Sequence, residues 1–220
     1  TVVWDSLALA EELASRHPEA GHWPADPDER ALARSMAAEM HSSFSALRTH
    51  CAMNLHTAYS GVPVPDAVRA DLDRIEQLWS RADGWLFGDY TAVDAFFAPV
   101  AMRIAGHDLP VSRTTRAYVE RHLAHLPLRR WRALGTATDA VLPVYEREWT
   151  RAPWPGLAPM PARAVEGTEA ENVACPYSGK PVTHVLEMEG RRWGFCNATC
   201  RDKTVNDPEA WPAFMSLVRG

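Results

Sequence analysis

Apolar residues recur at steps of three and four along most of the first 150 positions, a spacing that places them on one face of an α-helix. The longest run, over residues 26–56, predicts one amphipathic helix with these apolar positions: Leu32, Met36, Met40, Phe44, Leu47, Cys51 and Leu55. Further helices are predicted over residues 6–17, 66–82, 92–105, 112–126 and 128–150. Pro18 ends the first helix, the segment 61–65 ends the longest one, and Pro143 predicts a kink in the last. The pattern therefore predicts a mainly α protein up to about residue 150.

The pattern changes after that point. Residues 151–174 are rich in Pro and Gly and contain few large apolar side chains, which predicts a semi-rigid linker. Two strand-like runs, residues 182–188 and 191–195, flank Glu189-Gly190 and predict a β-hairpin. With a helical segment predicted over residues 208–218, the chain is expected to end in a small hairpin and helix module.

Two helix starts carry polar groups with a clear physical role. Thr91-x-x-Asp94 precedes the nearly all-apolar helix 92–105 and predicts a capping box, in which each side chain satisfies an amide of the other residue.

Residues 1–6 have the pattern of a strand running into a helix, so we expect the chain to begin inside a fold. Asp5 or Ser6 could serve only as a helix cap, as such residues do in most proteins. A helix N-terminus with free amides and a hydroxyl is also suited to bind a carboxylate.

Composition narrows the classes of function. With 220 residues and 46% hydrophobic content, the chain has enough apolar material for one large or two modest domains. A net charge of -5 disfavours nucleic acid as a main partner, because phosphate binding needs a clustered positive surface. The densest basic group, Arg129, Arg130 and Arg132, is interpreted as a solvated helix face. The sequence contains no long apolar run and no signal peptide, so no membrane association and a cytosolic location are expected.

Four features in sequence order resemble bacterial glutathione transferases over residues 1 to about 150. They are Val-Val-Trp-Asp-Ser-Leu-Ala-Leu-Ala-Glu-Glu-Leu-Ala after Thr1, Trp-Pro-Ala-Asp-Pro at 23–27, the long helix that follows, and Phe-Gly-Asp-Tyr-Thr-Ala-Val-Asp at 87–94. The resemblance implies a remnant of a thioredoxin-like glutathione-binding domain at residues 1–20. It also implies an all-helical transferase C-terminal domain at 26–150, followed by the linker 151–174 and the added module 175–220.

The same resemblance implies a function and a set of residues. Asp5 and Ser6 match the acid-Ser pair that holds the γ-glutamyl end of glutathione. The residue that stabilises the thiolate is expected upstream of Thr1, so this chain alone should not be a competent transferase. The intact protein is expected to be a homodimer that transfers glutathione to a small electrophile, or reduces one with it.

Four residues near the middle of the long helix are candidates for the second-substrate pocket: His41, Phe44, Ser45 and Arg48. Each also has a structural interpretation. Phe44 belongs to the apolar stripe of the helix, and His41 and Arg48 could simply be solvated.

Three of the four cysteines cluster near the end of the chain. Cys175 precedes the hairpin, and Cys196 and Cys200 follow it as Cys-x-x-x-Cys, an arrangement that resembles the YHS and TRASH metal-binding modules. Three thiolates suit a tetrahedral soft-metal site such as zinc, with His184, Asp207 or water as the fourth ligand. Reduced thiols in a packed core and a redox pair of Cys196 with Cys200 are the alternatives.

The sequence therefore supports two hypotheses from different classes. The first is a glutathione transferase family protein. The second is a non-catalytic, transferase-like binding protein whose terminal module senses or carries a metal.

Overall fold

The computed structural model describes residues 1–138 and 141–220 and is mostly helical with small antiparallel β-sheets, so the predicted mainly α class is confirmed. The helices are α1 (Ser6–Arg16), α2 (Pro27–Ser42), α3 (Ser45–His50), α4 (Asp66–Trp79), α5 (Ala92–Gly106), α6 (Arg113–Ala124), α7 (Leu126–Thr138), α8 (Ala198–Asn206) and α9 (Pro212–Arg219). The strands are β1 (Ala58–Ser60), β2 (Thr150–Ala152), β3 (Ala162–Val165), β4 (His184–Met188) and β5 (Arg191–Phe195). Within the described ranges, no helix combines the length and apolar character that crossing a membrane would require.

The chain divides into two compact units. Unit 1 contains Thr1–His122 and Tyr145–Trp154, and unit 2 contains Leu123–Val144 and Pro155–Gly220. This division places α7 and β3 in the same unit as the cysteine module, although the sequence assigned them to the helical domain and the linker. The four-part domain scheme stays a prediction.

The predicted long helix over residues 26–56 is wrong in its extent. Helix α2 ends at Ser42, and α3 begins at Ser45 after a break at Phe44. Phe44 has a left-handed backbone with φ of 60° and ψ of 41°, a conformation that disfavours a bulky side chain. Its ring is nevertheless only 4% exposed, so burial of the aromatic group offsets the cost of the turn. Phe44 is a core residue and also the position at which the helix is interrupted. The apolar spacing of the sequence therefore continues through the break.

Two other sequence predictions need correction. Residues 1–4 form no strand, since no described strand pairs with them, and Val2 and Trp4 are largely exposed. The predicted helix 128–150 ends at Thr138; residues 139–140 lie outside the described part, and Pro143–Tyr145 form a short 3-10 turn. Proline lacks the amide that a continuing helix would need, and here it begins a different turn.

Unit 1 is built around α4, α5 and α6. The Trp79 ring packs edge-on against Phe97, with 5.4 Å between ring centroids, and also against Tyr118 at 4.6 Å. All three side chains are buried. Strand β1 pairs with β2. The ring contact between Trp79 and Phe97 holds α5 against α4. The N-terminal half of α5 forms part of the cavity described below.

Unit 2 contains a three-stranded antiparallel sheet in the order β3-β4-β5. The predicted hairpin is confirmed: β4 pairs with β5, and the turn residues Glu189 and Gly190 both have positive φ, as a type I′ turn requires. The sequence prediction missed two elements of this unit, β3 inside the predicted linker and α8 after the hairpin. The core of the unit consists of Cys175, Leu186, Met188, Trp193, Phe195, Phe214 and Met215.

A buried histidine makes unit 1 sensitive to acid. His107 is 1% exposed, and its Nδ1 lies 2.9 Å from the carbonyl oxygen of Arg103. Burial, together with the charges of Arg103 and Arg147, lowers the pKa of His107 to about 4 from an ordinary 6.5, although the hydrogen bond to the Arg103 carbonyl opposes the shift. The unfolded chain therefore takes up a proton between pH 6.5 and 4 that the folded chain resists, so stability falls as pH decreases through this window.

The expected loss is of the order of 3 kcal/mol between the two limits. His107→Asn keeps a donor for the Arg103 carbonyl but cannot be protonated, so its unfolding free energy should fall less steeply in this window. Urea unfolding at a series of pH values measures the slope, with the exposed His17→Asn as control. Equal slopes for His107→Asn and the unsubstituted protein would contradict the assignment.

Candidate functional site

Three polar side chains meet at the N-terminus of α1. Asp5 caps the helix, because its Oδ1 accepts a hydrogen bond of 2.8 Å from the amide of Leu7. His41 from the last turn of α2 reaches both neighbours: its Nδ1 lies 3.2 Å from Ser6 Oγ, and its Nε2 lies 3.4 Å from Asp5 Oδ2. All three side chains are exposed, so a ligand can reach them from solvent.

The backbone of Asp5 is strained. Its φ of 74° and ψ of 131° are unusual for a residue with a side chain. Such conformations cost of the order of 1–3 kcal/mol and cluster at functional sites. Here the hydrogen bond from Leu7 and the contact with His41 hold the residue in place.

A cavity of about 770 Å³ opens beside this helix start. Its walls come from α1, the loop that follows α1, the last turn of α2, α3 and the first half of α5. The lining residues are Ser6, Leu9, Ala10, Leu13, Ala20, Gly21, His22, Met40, His41, Arg48, Tyr90, Thr91, Ala92, Ala95, Phe96 and Pro99. A volume of this size suits a small organic molecule.

The structure separates the four residues predicted for the second-substrate pocket. His41 and Arg48 line the cavity together with Ser6. Phe44 is buried in the core, and Ser45 lines a different depression beside Thr49 and His50. A continuous helix would have placed all four residues on one face. The break between α2 and α3 therefore explains why they are separated.

The sequence prediction missed the contribution of α5 to the cavity. Ala92, Ala95, Phe96 and Pro99 follow the three-four spacing of one helix face, and this face borders the cavity. That spacing was visible in the sequence. Because the helix is nearly all apolar, it indicated burial on every side and hid the face that borders a cavity.

The predicted capping box is present at the start of α5 and anchors this wall. Asp94 is fully buried, and its Oδ2 accepts a hydrogen bond of 2.9 Å from the Thr91 amide. Its Oδ1 accepts from the Leu86 amide at 3.1 Å and from the Tyr118 hydroxyl at 2.7 Å. One carboxylate thus joins the preceding loop, α5 and α6. The sequence predicted only the Thr91 half of this network.

In unit 2 the three predicted cysteines come together. The Sγ atoms of Cys175, Cys196 and Cys200 all lie within 4.8 Å of one another. Cys175 precedes the turn into the sheet, Cys196 directly follows β5, and Cys200 lies in the first turn of α8. The separation of Cys196 and Cys200 is 4.0 Å between sulfur atoms, and both are free thiols.

The surroundings give these thiols different pKa values. Burial raises the pKa of Cys175, but hydrogen bonds from the amides of Tyr177, Ser178 and Cys196 and from the Ser178 hydroxyl outweigh it, so that the pKa falls to about 7. Burial, and then the charges of the neighbouring thiols, raises the pKa of Cys200 to about 11. Several donors directed at one sulfur stabilise a thiolate, which is the form that binds metals.

Neither proposed fourth ligand lies in this cluster. Asp207 forms a bidentate ion pair with Arg129, at 2.8 and 2.6 Å, and also caps the turn that follows α8. His184 lies within 2.9 Å of the Thr183 hydroxyl and is absent from the group of close ligand atoms found in the described residues. The hydroxyl of Ser178 donates to Cys196 Sγ at 3.2 Å.

No protein-family model matches the chain, and no curated protein matches its sequence. Among solved structures, one similar chain is a glutathione transferase homolog from Burkholderia GL BGR1, whose crystal structure contains bound glutathione. The identity is 26%, the alignment covers 62% of this chain and 69% of that chain, and the TM-score is 0.48.

Proposed function

We propose that unit 1 binds glutathione at the N-terminus of α1, and that the intact protein uses it to modify or reduce a small electrophile. The observation that carries this proposal is the arrangement of Asp5, Ser6 and His41 at the edge of a 770 Å³ cavity. The ordered motifs that resemble glutathione transferases support it. On this proposal, residues 1–20 and 26–150 correspond to the thioredoxin-like remnant and the helical domain of that family.

The chemistry of these side chains matches the γ-glutamyl end of glutathione. When His41 donates from Nδ1 to Ser6 Oγ, the hydroxyl hydrogen of Ser6 is directed to another acceptor, such as the α-carboxylate of the ligand. The positive end of the α1 dipole favours the same group. Oδ2 of Asp5 provides the negative charge that an ammonium group needs. These residues are assigned to binding, and none of them is assigned to activation of the thiol.

Glutathione binding tests the proposal directly. Isothermal titration should detect binding by the unsubstituted chain, and Ser6→Ala should weaken it about tenfold, because a hydrogen bond to a charged carboxylate is lost. Asp5→Asn keeps the oxygen that caps α1 but removes the charge that attracts the ammonium group, so it should weaken binding to a similar extent.

Ser42→Ala is the matched control. Ser42 is an exposed serine of α2 whose hydroxyl donates to the Ala38 carbonyl at 3.0 Å, and it is not among the residues that line the cavity. If the unsubstituted chain showed no binding, or if Ser6→Ala and Ser42→Ala bound equally, the assignment of this site would be wrong.

A second candidate function belongs to unit 2. We propose that Cys175, Cys196 and Cys200 bind a soft metal ion such as zinc or copper(I), as in a YHS-like or TRASH-like module. The mutual approach of the three sulfur atoms supports this, as does the pKa near 7 of Cys175. The three thiolates would hold the ion, and a fourth position remains for water or another donor. Metal content is the measurement that decides it.

The homodimer and the cytosolic location stay predictions from the sequence. So does the redox alternative for Cys196 and Cys200.

A further inference from the structure

The charges around the cavity of unit 1 are unbalanced. The lining residues given above include neither Asp nor Glu, and Arg48 is the one that carries a permanent charge. Two histidines, His22 and His41, lie on the same walls. The nearest acid already described, Asp5, lies at the helix start and faces His41.

Among the described residues, Arg48 forms no ion pair with a carboxylate. Its Nη2 donates to the carbonyl oxygens of Met40 and His41 and lies 3.8 Å from Met40 Sδ. Its Nε is buried and makes no hydrogen bond. A buried donor without a partner costs about 1–3 kcal/mol, so the unpaired Nε is an unfavourable feature of this site.

A second guanidinium adds to the imbalance. Arg103 on α5 donates to the carbonyl oxygens of Cys51, at 3.0 Å, and Pro99, at 3.3 Å. Burial, and to a smaller extent the positive charge of Arg48, lowers the pKa of Arg103 to about 10. Among the described residues, the hydrogen-bond acceptors of Arg48 and Arg103 are all neutral.

The rest of the cavity is apolar. Leu9 and Leu13 project from α1, and Phe96 and Pro99 project from α5. Leu9 and Leu13 are 44% and 49% exposed, so apolar surface would be buried when a ligand enters. A ligand that matches both the apolar walls and the positively charged Arg48 has a hydrophobic body and one negative group.

We infer that this cavity selects an amphipathic organic anion, such as an aromatic carboxylate, with its negative group on Arg48 and its body against α1 and α5. That the anion is the electrophilic second substrate rests on the proposed glutathione function; its binding does not.

A matched pair of probes tests the inference without glutathione. 2-Naphthoate and 2-naphthamide have the same ring system and similar size, but only naphthoate is charged at neutral pH. Titration calorimetry should show naphthoate binding at least about tenfold more tightly, because charge-assisted hydrogen bonds to a guanidinium are stronger than neutral ones. Raising the salt concentration to about 0.5 M should reduce this preference.

Substitutions of Arg48 test whether this residue causes the preference for naphthoate over naphthamide. Arg48→Gln should remove the preference, since it weakens naphthoate binding much more than naphthamide binding, and Arg48→Lys should keep part of it by retaining the charge. Arg30→Gln is the matched control, because Arg30 also donates to two backbone carbonyls, of Pro24 and Ala25, but does not line the cavity. Circular dichroism establishes that each variant is folded.

Equal affinity of the unsubstituted chain for the two probes would overturn the inference, whether or not the Arg48 variants fold. A preference that survives in a folded Arg48→Gln variant would also overturn it. Glutathione titration of the same preparation separates the two proposals: naphthoate preference without glutathione binding refutes the proposed function alone, and glutathione binding without that preference refutes this inference alone.

Discussion

Asp94→Ala is expected to lower the free energy of unfolding by about 3–4 kcal/mol, a large part of the stability of a typical domain. The substitution leaves three buried donors without an acceptor: the amides of Thr91 and Leu86, and the Tyr118 hydroxyl. It also removes the acidic half of the capping box at the start of α5. Urea unfolding followed by circular dichroism measures the change.

Asp89→Ala is the control for this substitution. Asp89 is an exposed acid in the same loop, and its replacement should change the unfolding free energy by less than about 0.5 kcal/mol. Tyr118→Phe removes one of the hydrogen bonds and should cost about 1 kcal/mol. A cost for Asp94→Ala no larger than that for Asp89→Ala would show that the network does not stabilise unit 1.

The second large effect concerns the cysteine cluster. Protein purified under reducing conditions and supplied with zinc or copper(I) is expected to hold about one ion per chain. Replacing Cys175, Cys196 and Cys200 together with Ser should abolish this, since a serine hydroxyl is not deprotonated at neutral pH and is a poor ligand for soft metals. Elemental analysis after gel filtration gives the ratio.

Cys51→Ser provides the matched control. Cys51 is fully buried in unit 1, and burial raises the pKa of its thiol to about 12, so it offers no thiolate. Its replacement should leave the metal content unchanged. No bound metal in the unsubstituted protein, or equal metal in the triple variant, would remove the metal proposal. Thiol oxidation that links Cys196 to Cys200 would then favour the redox alternative.

Helices with regular apolar spacing were predicted well from the sequence because their stability comes from one buried face. Helices α4, α5 and α6 lie within about three residues of the predicted bounds. The break at Phe44 could not be predicted in this way. No Gly or Pro marks it, and the position keeps its place in the apolar stripe. Only the packing of the surrounding side chains compensates the left-handed backbone.

The candidate sites show the same contrast. The sequence pointed to Asp5 and Ser6 because they are adjacent at a helix start, and to the three cysteines because of their spacing. It could not assign His41 to Ser6, since 35 positions separate them and the contact depends on how α1 packs against α2. It offered His184 and Asp207 as metal ligands, but could not foresee that Arg129 engages Asp207.

The sequence by itself determined the mainly helical class, the capping box, the hairpin and the residues with chemical potential, because each depends on neighbours within a few positions. Tertiary structure decided the division into two units, the break at Phe44, the walls of the cavity and the unbalanced charge of Arg48. These features depend on which distant groups are buried together, because desolvation and packing act between side chains that share no local pattern.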